Sequence, residues 1–155
     1  MSTSPQEYRQ RLLARYAAQA DDLRRAVERR TATSVHLPLE TGGWSAHQVL
    51  AHVRDAEVQA FAPRIRLLVD AENPSLESFD SEAWMAEHYD PQELWESILA
   101  SLARARGEAL ARLTDLPPSG WNRSGFHPER GRRTLQWWVE YAVGHAQEHL
   151  RQLGG

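Results

Sequence analysis

The sequence predicts an all-α protein, built as a four-helix bundle with long connections. Apolar residues recur at steps of three and four in four stretches of the chain, which is the spacing of one helix face. No stretch alternates convincingly between apolar and polar residues, so no strand is expected. A chain of 155 residues is about one domain long and can bury a sufficient core, so we expect a single domain over residues 1–155.

The first predicted helix runs from about residue 5 to residue 31. Ser4 followed by Pro5 is a typical start, because serine caps a helix and proline is tolerated in its first turn. Apolar side chains then recur on one face, namely Tyr8, Leu12, Tyr16, Ala20, Leu23 and Val27.

The second predicted helix spans residues 46 to 71. Ser45 and Gln48 have the spacing of a capping box, in which each side chain bonds the backbone N–H of the other residue. Pro63 lies inside the helical pattern and has no backbone N–H, so we expect a kink over residues 59–63.

Two further helices complete the predicted bundle. The third opens at Asp90 and Pro91 and ends before Pro117 and Pro118, and the last follows Thr134 as its cap. The inner face of the third helix consists of Trp95, Ile98, Leu102, Ala105, Ala109 and Leu113. The inner face of the last consists of Leu135, Trp138, Ala142, His145, His149 and Leu153.

Two connections are too long for simple turns between helices. Residues 72–89 are expected to contain a short helix over residues 81–88, and residues 117–133 form a loop rich in proline and glycine. Both connections carry aromatic side chains, which more often seal the edge of a core than line a substrate pocket.

Composition excludes several classes of protein. The 18 basic residues are dispersed and are outnumbered by 21 acidic residues, so no nucleic-acid partner is expected. The chain has no cysteine, which excludes a disulfide scaffold, a zinc finger and a protein thiol nucleophile. No apolar run approaches the roughly 18 residues of a membrane span and no signal peptide is recognisable, so we expect a cytoplasmic protein without membrane contact.

Three histidines are candidate metal ligands. His145 and His149 lie four residues apart on the apolar face of the last helix, where two imidazoles can share one ion. His52 is the polar interruption in the apolar face of the second helix, which can lie beside the last helix in a bundle. Three inward imidazoles without partners are costly, whereas a divalent cation would satisfy them and leave positions open for water or substrate.

The other four histidines are predicted to be structural. His47 lies about 140° around the helix from His52 and is expected to face solvent. His36, His88 and His127 fall in connections, where a surface position or a hydrogen bond within the loop is expected.

Two other metal-site patterns fit less well. The segment from His145 to His149 has the form H-x-x-E-H with Glu148 as general base, but the residues that follow offer no further ligand. A ferritin-like di-iron site needs Glu-x-x-His pairs, and the sequence contains none.

The chain resembles the DinB/YfiT-like superfamily of metal-binding four-helix bundles. The similarity is carried by Trp44-Ser45 at a helix start, by His52 within Val-Leu-Ala-His-Val-Arg-Asp-Ala-Glu, and by the closing Gly-His-Ala-Gln-Glu-His-Leu-Arg-Gln-Leu, and it covers nearly the whole chain. The resemblance implies one metal ion held by His52, His145 and His149. It also implies activities of characterised members, which are S-transfer from glutathione-, mycothiol- or bacillithiol-type thiols and isomerisation of maleylpyruvate.

The resemblance favours a transferase in which a divalent ion (zinc, nickel or iron) activates an exogenous low-molecular-weight thiol. The alternative is a hydrolase that uses a metal-bound hydroxide, for which Glu148, Glu57 and Asp55 are the nearest general-base candidates. A third hypothesis is a non-catalytic, stress-associated dimeric scaffold, with exposed apolar residues of the first or third helix forming the dimer. Under the first two hypotheses we expect a small-molecule substrate, and under all three a homodimer.

Overall fold

A computed structural model describes residues 3–154, and its fold is a four-helix bundle with one two-stranded sheet. The elements are α1 (Pro5–Glu28), α2 (Ala46–Ala56), α3 (Ala62–Asp70), α4 (Ser81–His88), α5 (Trp95–Leu113), β1 (Ser124–His127), β2 (Gly131–Thr134) and α6 (Leu135–Gln152). The predicted fold class is confirmed. Within the described residues, no helix combines the length and the apolar character that crossing a membrane requires.

The four long helical segments have an arrangement that explains the long connections. α1 packs against both α5 and α6, and the segment formed by α2 and α3 packs against the same two helices. α1 and α2 therefore occupy diagonal corners of the bundle, as do α5 and α6. The connections 29–45 and 114–134 each join diagonal corners, which requires more residues than a turn between neighbours. The same arrangement puts α2 beside α6, as predicted.

The core consists of two clusters of buried apolar side chains. One contains Tyr16, Ile65 and Trp138, and the other contains Leu23, Leu50 and Leu102. The apolar faces predicted for α1 and α5 supply much of both clusters, because their large side chains are buried except for Tyr8, which is exposed, and Trp95, which is half-buried.

The predicted helix starts are confirmed at three positions. The Ser4 side chain accepts from the Glu7 N–H, Thr134 accepts from the Trp137 N–H, and Ser45 and Gln48 form both bonds of the capping box. The short helix α4 has the predicted bounds, Ser81–His88. α1 ends at Glu28, slightly before the predicted end.

Near the predicted kink, the structure has a π-helical turn over Glu57–Phe61. The Ala62 N–H donates to the Glu57 carbonyl, five residues back, and α3 then begins with Pro63 in its first turn. Proline has no N–H to donate to the preceding turn, so the regular pattern of hydrogen bonds is interrupted here.

The start predicted for the third long helix was wrong. α5 begins at Trp95, because the Asp90 carboxylate accepts from the Gln92 N–H (2.8 Å) and the Asp90 carbonyl from the Glu93 N–H (3.2 Å). These two bonds make a separate turn, and Leu94 is extended before the helix starts.

The expectation that no strand forms was also wrong, because residues 117–133 contain a β-hairpin. β1 and β2 pair antiparallel with Ser124 opposite Thr134, and Gly131 has φ +72°, a conformation that suits glycine. Each strand has four residues, which is too short for alternation to be recognised. The Phe126 backbone also bonds the connection before α4, accepting from Leu76 (2.7 Å) and donating to Pro74 (3.0 Å). The two long connections therefore pack together.

Candidate metal centre and cavity

The structure brings the three predicted histidines together between α2 and α6. The Nε2 atoms of His52 and His145 are 3.1 Å apart, and the His149 ring lies 4.8 Å from the His52 ring and 4.6 Å from the His145 ring, between centroids. One candidate ligand atom from each residue lies within 4.8 Å of the other two. Two nitrogens bound to one tetrahedral zinc ion would be about 3.4 Å apart, so small side-chain rotations would suffice for shared coordination. The three histidines could hold a metal ion.

The electrostatics of the site keep two of these imidazoles neutral. Burial, and secondarily the proximity of His149, lowers the pKa of His52 to about 4. Burial, followed by the effects of His149, His52 and Arg106, lowers the pKa of His145 to about 3. Both rings are therefore neutral at pH 7, which is the form that binds a metal ion.

Neighbouring groups orient the imidazoles. The Nδ1 atom of His149 lies 2.8 Å from Gln152 Oε1, and because an amide oxygen accepts, Nδ1 carries the proton and the Nε2 lone pair is available. Trp44 packs against the His52 ring (5.1 Å) and Phe61 against the His145 ring (5.4 Å), between centroids. The buried Nδ1 of His52 has no hydrogen-bond partner among residues 3–154.

The three general-base candidates have different environments. Asp55 is buried and accepts from Arg54 Nε (2.7 Å), and burial raises the pKa of Asp55. Glu57 is 1% exposed and paired with Arg106. Glu148 is exposed on α6 and lines a shallow surface hollow with His145. No carboxylate within the described part of the chain joins the histidine cluster.

The pair of Glu57 and Arg106 belongs to a buried hydrogen-bond network. Arg106 Nε donates to Glu57 Oε1 (2.6 Å), and the Tyr16 hydroxyl donates to Glu57 Oε2 (2.8 Å). Arg106 Nη1 donates to the Tyr16 carbonyl (2.6 Å) and to Gln19 Oε1 (2.8 Å). Gln19 Nε2 donates in turn to the Val143 carbonyl (2.9 Å). The network therefore links α1, the π turn, α5 and α6 through the bundle core.

A cavity of about 180 Å³ adjoins the histidines. His52 and His145 line it, so two of the candidate ligands open onto it. Residues from both long connections also line it, which is the role that the sequence made the less expected of the two. The full lining is His52, Ala56, Ala60, Phe61, Arg64, Phe79, Ser81, His127, Glu129, Arg130, Trp138, Tyr141 and His145.

His127 is bonded within its loop, as predicted, and also lines the cavity. Its Nδ1 accepts from the backbone N–H groups of Glu129 and Arg130, both at 3.1 Å. Burial is the main cause that lowers the pKa of His127, so the ring is neutral at pH 7 and its proton is on Nε2. In that tautomer His127 offers a hydrogen-bond donor rather than a base.

The remaining predictions for histidines are confirmed except for His47. His36 and His88 are exposed, whereas His47 is 1% exposed and not directed to solvent as predicted. Its Nε2–H donates to the Glu93 carbonyl (2.7 Å), and its Nδ1 accepts from the Tyr89 hydroxyl (2.6 Å). The turn before α5 covers this face of α2, and helical periodicity alone does not show such a cover.

The sequence did not predict a functional role for two of the cavity-lining residues, Arg64 and Arg130. Arg64 lies on α3, beyond the π turn, and Arg130 lies in the turn of the hairpin. Neither belongs to a motif of metal ligands or catalytic acids. The signal available in the sequence was the presence of Arg130 in a loop that also carries aromatic side chains.

Comparison with known proteins identifies similar chains. A family model of the DinB superfamily matches residues 15–153. A protein of Oceanobacillus iheyensis, provisionally named a metal-dependent hydrolase, is 30% identical over 116 residues, which are 73% of this chain and 64% of that protein. The chain thus spans less than two thirds of that relative. YfiT of Bacillus subtilis, also provisionally named a metal-dependent hydrolase, is 28% identical over 141 residues, which are 85% of this chain and 78% of YfiT.

Two solved structures have the same fold. The structure of YfiT, described as a probable metal-dependent hydrolase with an unusual four-helix bundle topology, has a TM-score of 0.86 at 25% identity and covers 99% of this chain and 87% of its own. TT2238, described as a four-helix bundle protein, has a TM-score of 0.65 at 23% identity and covers 94% of this chain and 98% of its own. The second similarity concerns the fold alone.

Proposed function

The chain belongs to the DinB superfamily, and on that basis we propose that it is a metal-dependent enzyme whose ion is bound by His52, His145 and His149. The reaction that we propose is transfer of an exogenous low-molecular-weight thiol to a small electrophile. The proposal rests on one observation. Two of the candidate metal ligands, His52 and His145, line the cavity that a substrate would occupy.

The chemistry of the ligand set supports this role. A divalent ion with three neutral imidazole ligands keeps its charge and an open position, so it can deprotonate a thiol or lower the pKa of water towards 7. His52 and His145 are neutral at pH 7 without a metal, so no proton has to leave them before they bind. The chain itself contributes the orientation of the rings, through Gln152, Trp44 and Phe61.

The surroundings favour a thiol over water as the nucleophile. The chain contains no cysteine, so a sulfur nucleophile has to come from outside. Asp55 and Glu57 are each paired with an arginine, and His127 is a donor in its neutral form, which leaves the exposed Glu148 as the remaining base candidate. A thiol activated by the ion needs no separate base, whereas hydrolysis gains from one.

Hydrolysis is the second candidate function. The names of the two bacterial relatives favour it, and Glu148 lines the same surface hollow as His145. Glu148 is therefore the residue that we assign as general base under this alternative. The scaffold hypothesis has less support, because the large exposed apolar side chains of the described residues (Tyr8, Leu37, Leu67, Leu94 and Phe126) do not form a stripe on α1 or α5.

We expect cobalt-substituted protein to develop a sulfur-to-metal charge-transfer band when it is titrated with low-molecular-weight thiols. The physical reason is direct coordination of the thiolate at the open position. The His149→Ala variant should lose the band, and His88→Ala, which removes an exposed histidine outside the cluster, should keep it. Absorption spectroscopy with glutathione, mycothiol and bacillithiol measures the effect.

The same preparation distinguishes the alternatives. If no thiol changes the spectrum, and activated esters or amides are hydrolysed at a rate that depends on an ionisation near pH 7, the hydrolase hypothesis replaces the transferase hypothesis. If neither reaction is seen, the scaffold hypothesis gains most.

A further inference from the structure

Two arginines of the cavity wall lie over aromatic rings of α6. The guanidinium carbon of Arg64 lies 4.8 Å from the centroid of the Trp138 ring, and that of Arg130 lies 5.2 Å from the centroid of the Tyr141 ring. Arg64 Nη2 donates to the Glu77 carbonyl (2.9 Å), and Arg130 Nη2 donates to the Tyr141 hydroxyl (2.8 Å). A cation–π contact and one hydrogen bond hold each guanidinium in place.

The charge on these arginines is not neutralised by an ion pair. Within residues 3–154, neither Arg64 nor Arg130 forms a salt bridge, in contrast to Arg54 and Arg106. Glu129 is the one acid in the cavity lining, and its Oε1 accepts from the Ser78 hydroxyl (2.6 Å). Each guanidinium has five N–H donors and uses one on a neutral acceptor. With the histidines neutral, the lining carries two positive charges and one negative charge.

The position of Arg64 makes this imbalance costly in the absence of a ligand. Arg64 is half-buried, and burial is the main cause that lowers its pKa, with a smaller contribution from the nearby Arg130. Glu129 and Tyr141 act in the opposite direction but do not compensate for the burial. A poorly solvated guanidinium gains most from an anionic partner with two oxygens, which matches its fork of donors.

The aromatic rings that the arginines contact lie on the same face of α6 as His145, at a distance along the helix axis. Trp138, Tyr141 and His145 of α6 all line the cavity, and their spacing of three and four residues puts them on one face. At 1.5 Å per residue, Tyr141 lies about 6 Å and Trp138 about 10 Å along the axis from His145. The arginines that lie over these rings are therefore separated from the candidate metal site by about the length of a small organic molecule.

We propose that Arg64 and Arg130 form an anion subsite that binds a carboxylate or phosphate group of the substrate, while the reacting atom of the substrate lies at the histidines. The assignment of the ligand as a substrate rests on the proposed function, whereas the binding of the anion does not. The cavity volume of about 180 Å³ suits a small organic acid or phosphate ester as the substrate class. Arg64 and Arg130 are then the residues that determine specificity.

Isothermal titration calorimetry of the full-length protein with succinate, inorganic phosphate and the neutral analogue succinamide tests the subsite. We expect one saturable site for an anion and at least about tenfold weaker binding of succinamide. The tighter of the two anions identifies the group that the subsite prefers. Arg64→Gln and Arg130→Gln should each weaken anion binding at least about tenfold.

Arg66→Gln is the matched control. Arg66 lies on the same helix as Arg64 but pairs with Glu108 (2.9 Å) and does not line the cavity, so this variant should bind anions like the parent. The exposed position of Arg130 makes Arg130→Gln informative even if Arg64→Gln fails to fold. Equal binding of succinamide and succinate, no binding of either anion, or unchanged binding in Arg130→Gln would overturn the proposal.

Repeating the titration after chelation separates this proposal from the proposed function. Anion binding that persists in metal-free protein and still depends on the arginines supports the subsite, whether or not the histidines bind an ion. Anion binding that is lost on chelation and is insensitive to the arginine variants indicates direct coordination to the metal, and it overturns the subsite while leaving the metal site in place.

Discussion

Replacing His52 with alanine should lower the affinity for zinc by more than about 100-fold. Loss of a group that only orients a metal ligand costs roughly 10–100-fold in affinity, and loss of the ligand itself should cost more. Among the described residues, His52 is the candidate ligand on α2, so the variant leaves the two candidate histidines of α6. Metal content by elemental analysis and competition with a chromophoric chelator measure the change.

His88→Ala is the matched control for this experiment, because His88 is an exposed histidine that bonds its own helix, through Nδ1 at 3.2 Å from the Trp84 carbonyl. It should bind metal like the parent. If His52→Ala and the parent bound zinc with equal affinity, the assignment of His52 as a metal ligand would be wrong.

Removal of the metal should leave the bundle folded. The two apolar clusters pack without participation of an ion, and a chain of this length has a sufficient core. Chelated protein should therefore retain its helical circular dichroism at room temperature. Unfolding on chelation would show that the ion is structural.

Replacing Arg106 with alanine should lower the free energy of unfolding by about 3–5 kcal/mol. The change leaves the Glu57 carboxylate, which is 1% exposed, without its positive partner. It also removes the donor to the Tyr16 carbonyl and the Gln19 amide oxygen. An unpaired charge and unsatisfied acceptors in the core both cost free energy. Urea unfolding at pH 7 measures the loss.

Arg66→Ala is the control for the loss of an arginine ion pair at the surface. The side chains of Arg66 and Glu108 are 35% and 57% exposed, so removing this pair should cost less than about 1 kcal/mol. Replacing both buried partners, as Arg106→Met with Glu57→Leu, should restore part of the stability, because no unpaired charge remains. Arg106→Lys provides an intermediate case if the alanine variant does not fold. An Arg106→Ala variant within 1 kcal/mol of the parent would contradict the buried network as a source of stability.

The helices and the histidine cluster could be predicted because they depend on local patterns. Apolar spacing and capping residues predicted the starts of α2 and α6. The proximity of His52 to His145 and His149 followed from their positions on inward faces, given that α2 lies beside α6. Each of these inferences needs only the helical period and one assumption about packing.

The errors and omissions concern features that depend on contacts between distant segments. His47 is covered by Tyr89 and Glu93, which approach α2 from a connection whose path the sequence does not reveal. Glu57 was considered as a base, but its partner Arg106 is 49 residues away and makes it part of the core. The cavity wall with Arg64 and Arg130 requires the hairpin, whose strands are too short to recognise.

The π turn over Glu57–Phe61 determines how the cavity responds to the deletion of one residue from this segment. On an uninterrupted α-helix, Arg64 would lie about 120° around the axis from His52, and the extra residue of the π turn reduces this angle to about 20°. Deleting one residue within the turn would restore a regular helix and leave Arg64 on the same side as His52. A deletion in the regular turns of α2 between His52 and the π turn would instead rotate everything beyond it by about 100°. A deletion of one residue at the π turn is therefore expected to preserve the orientation of Arg64, whereas a deletion next to a retained π turn changes it.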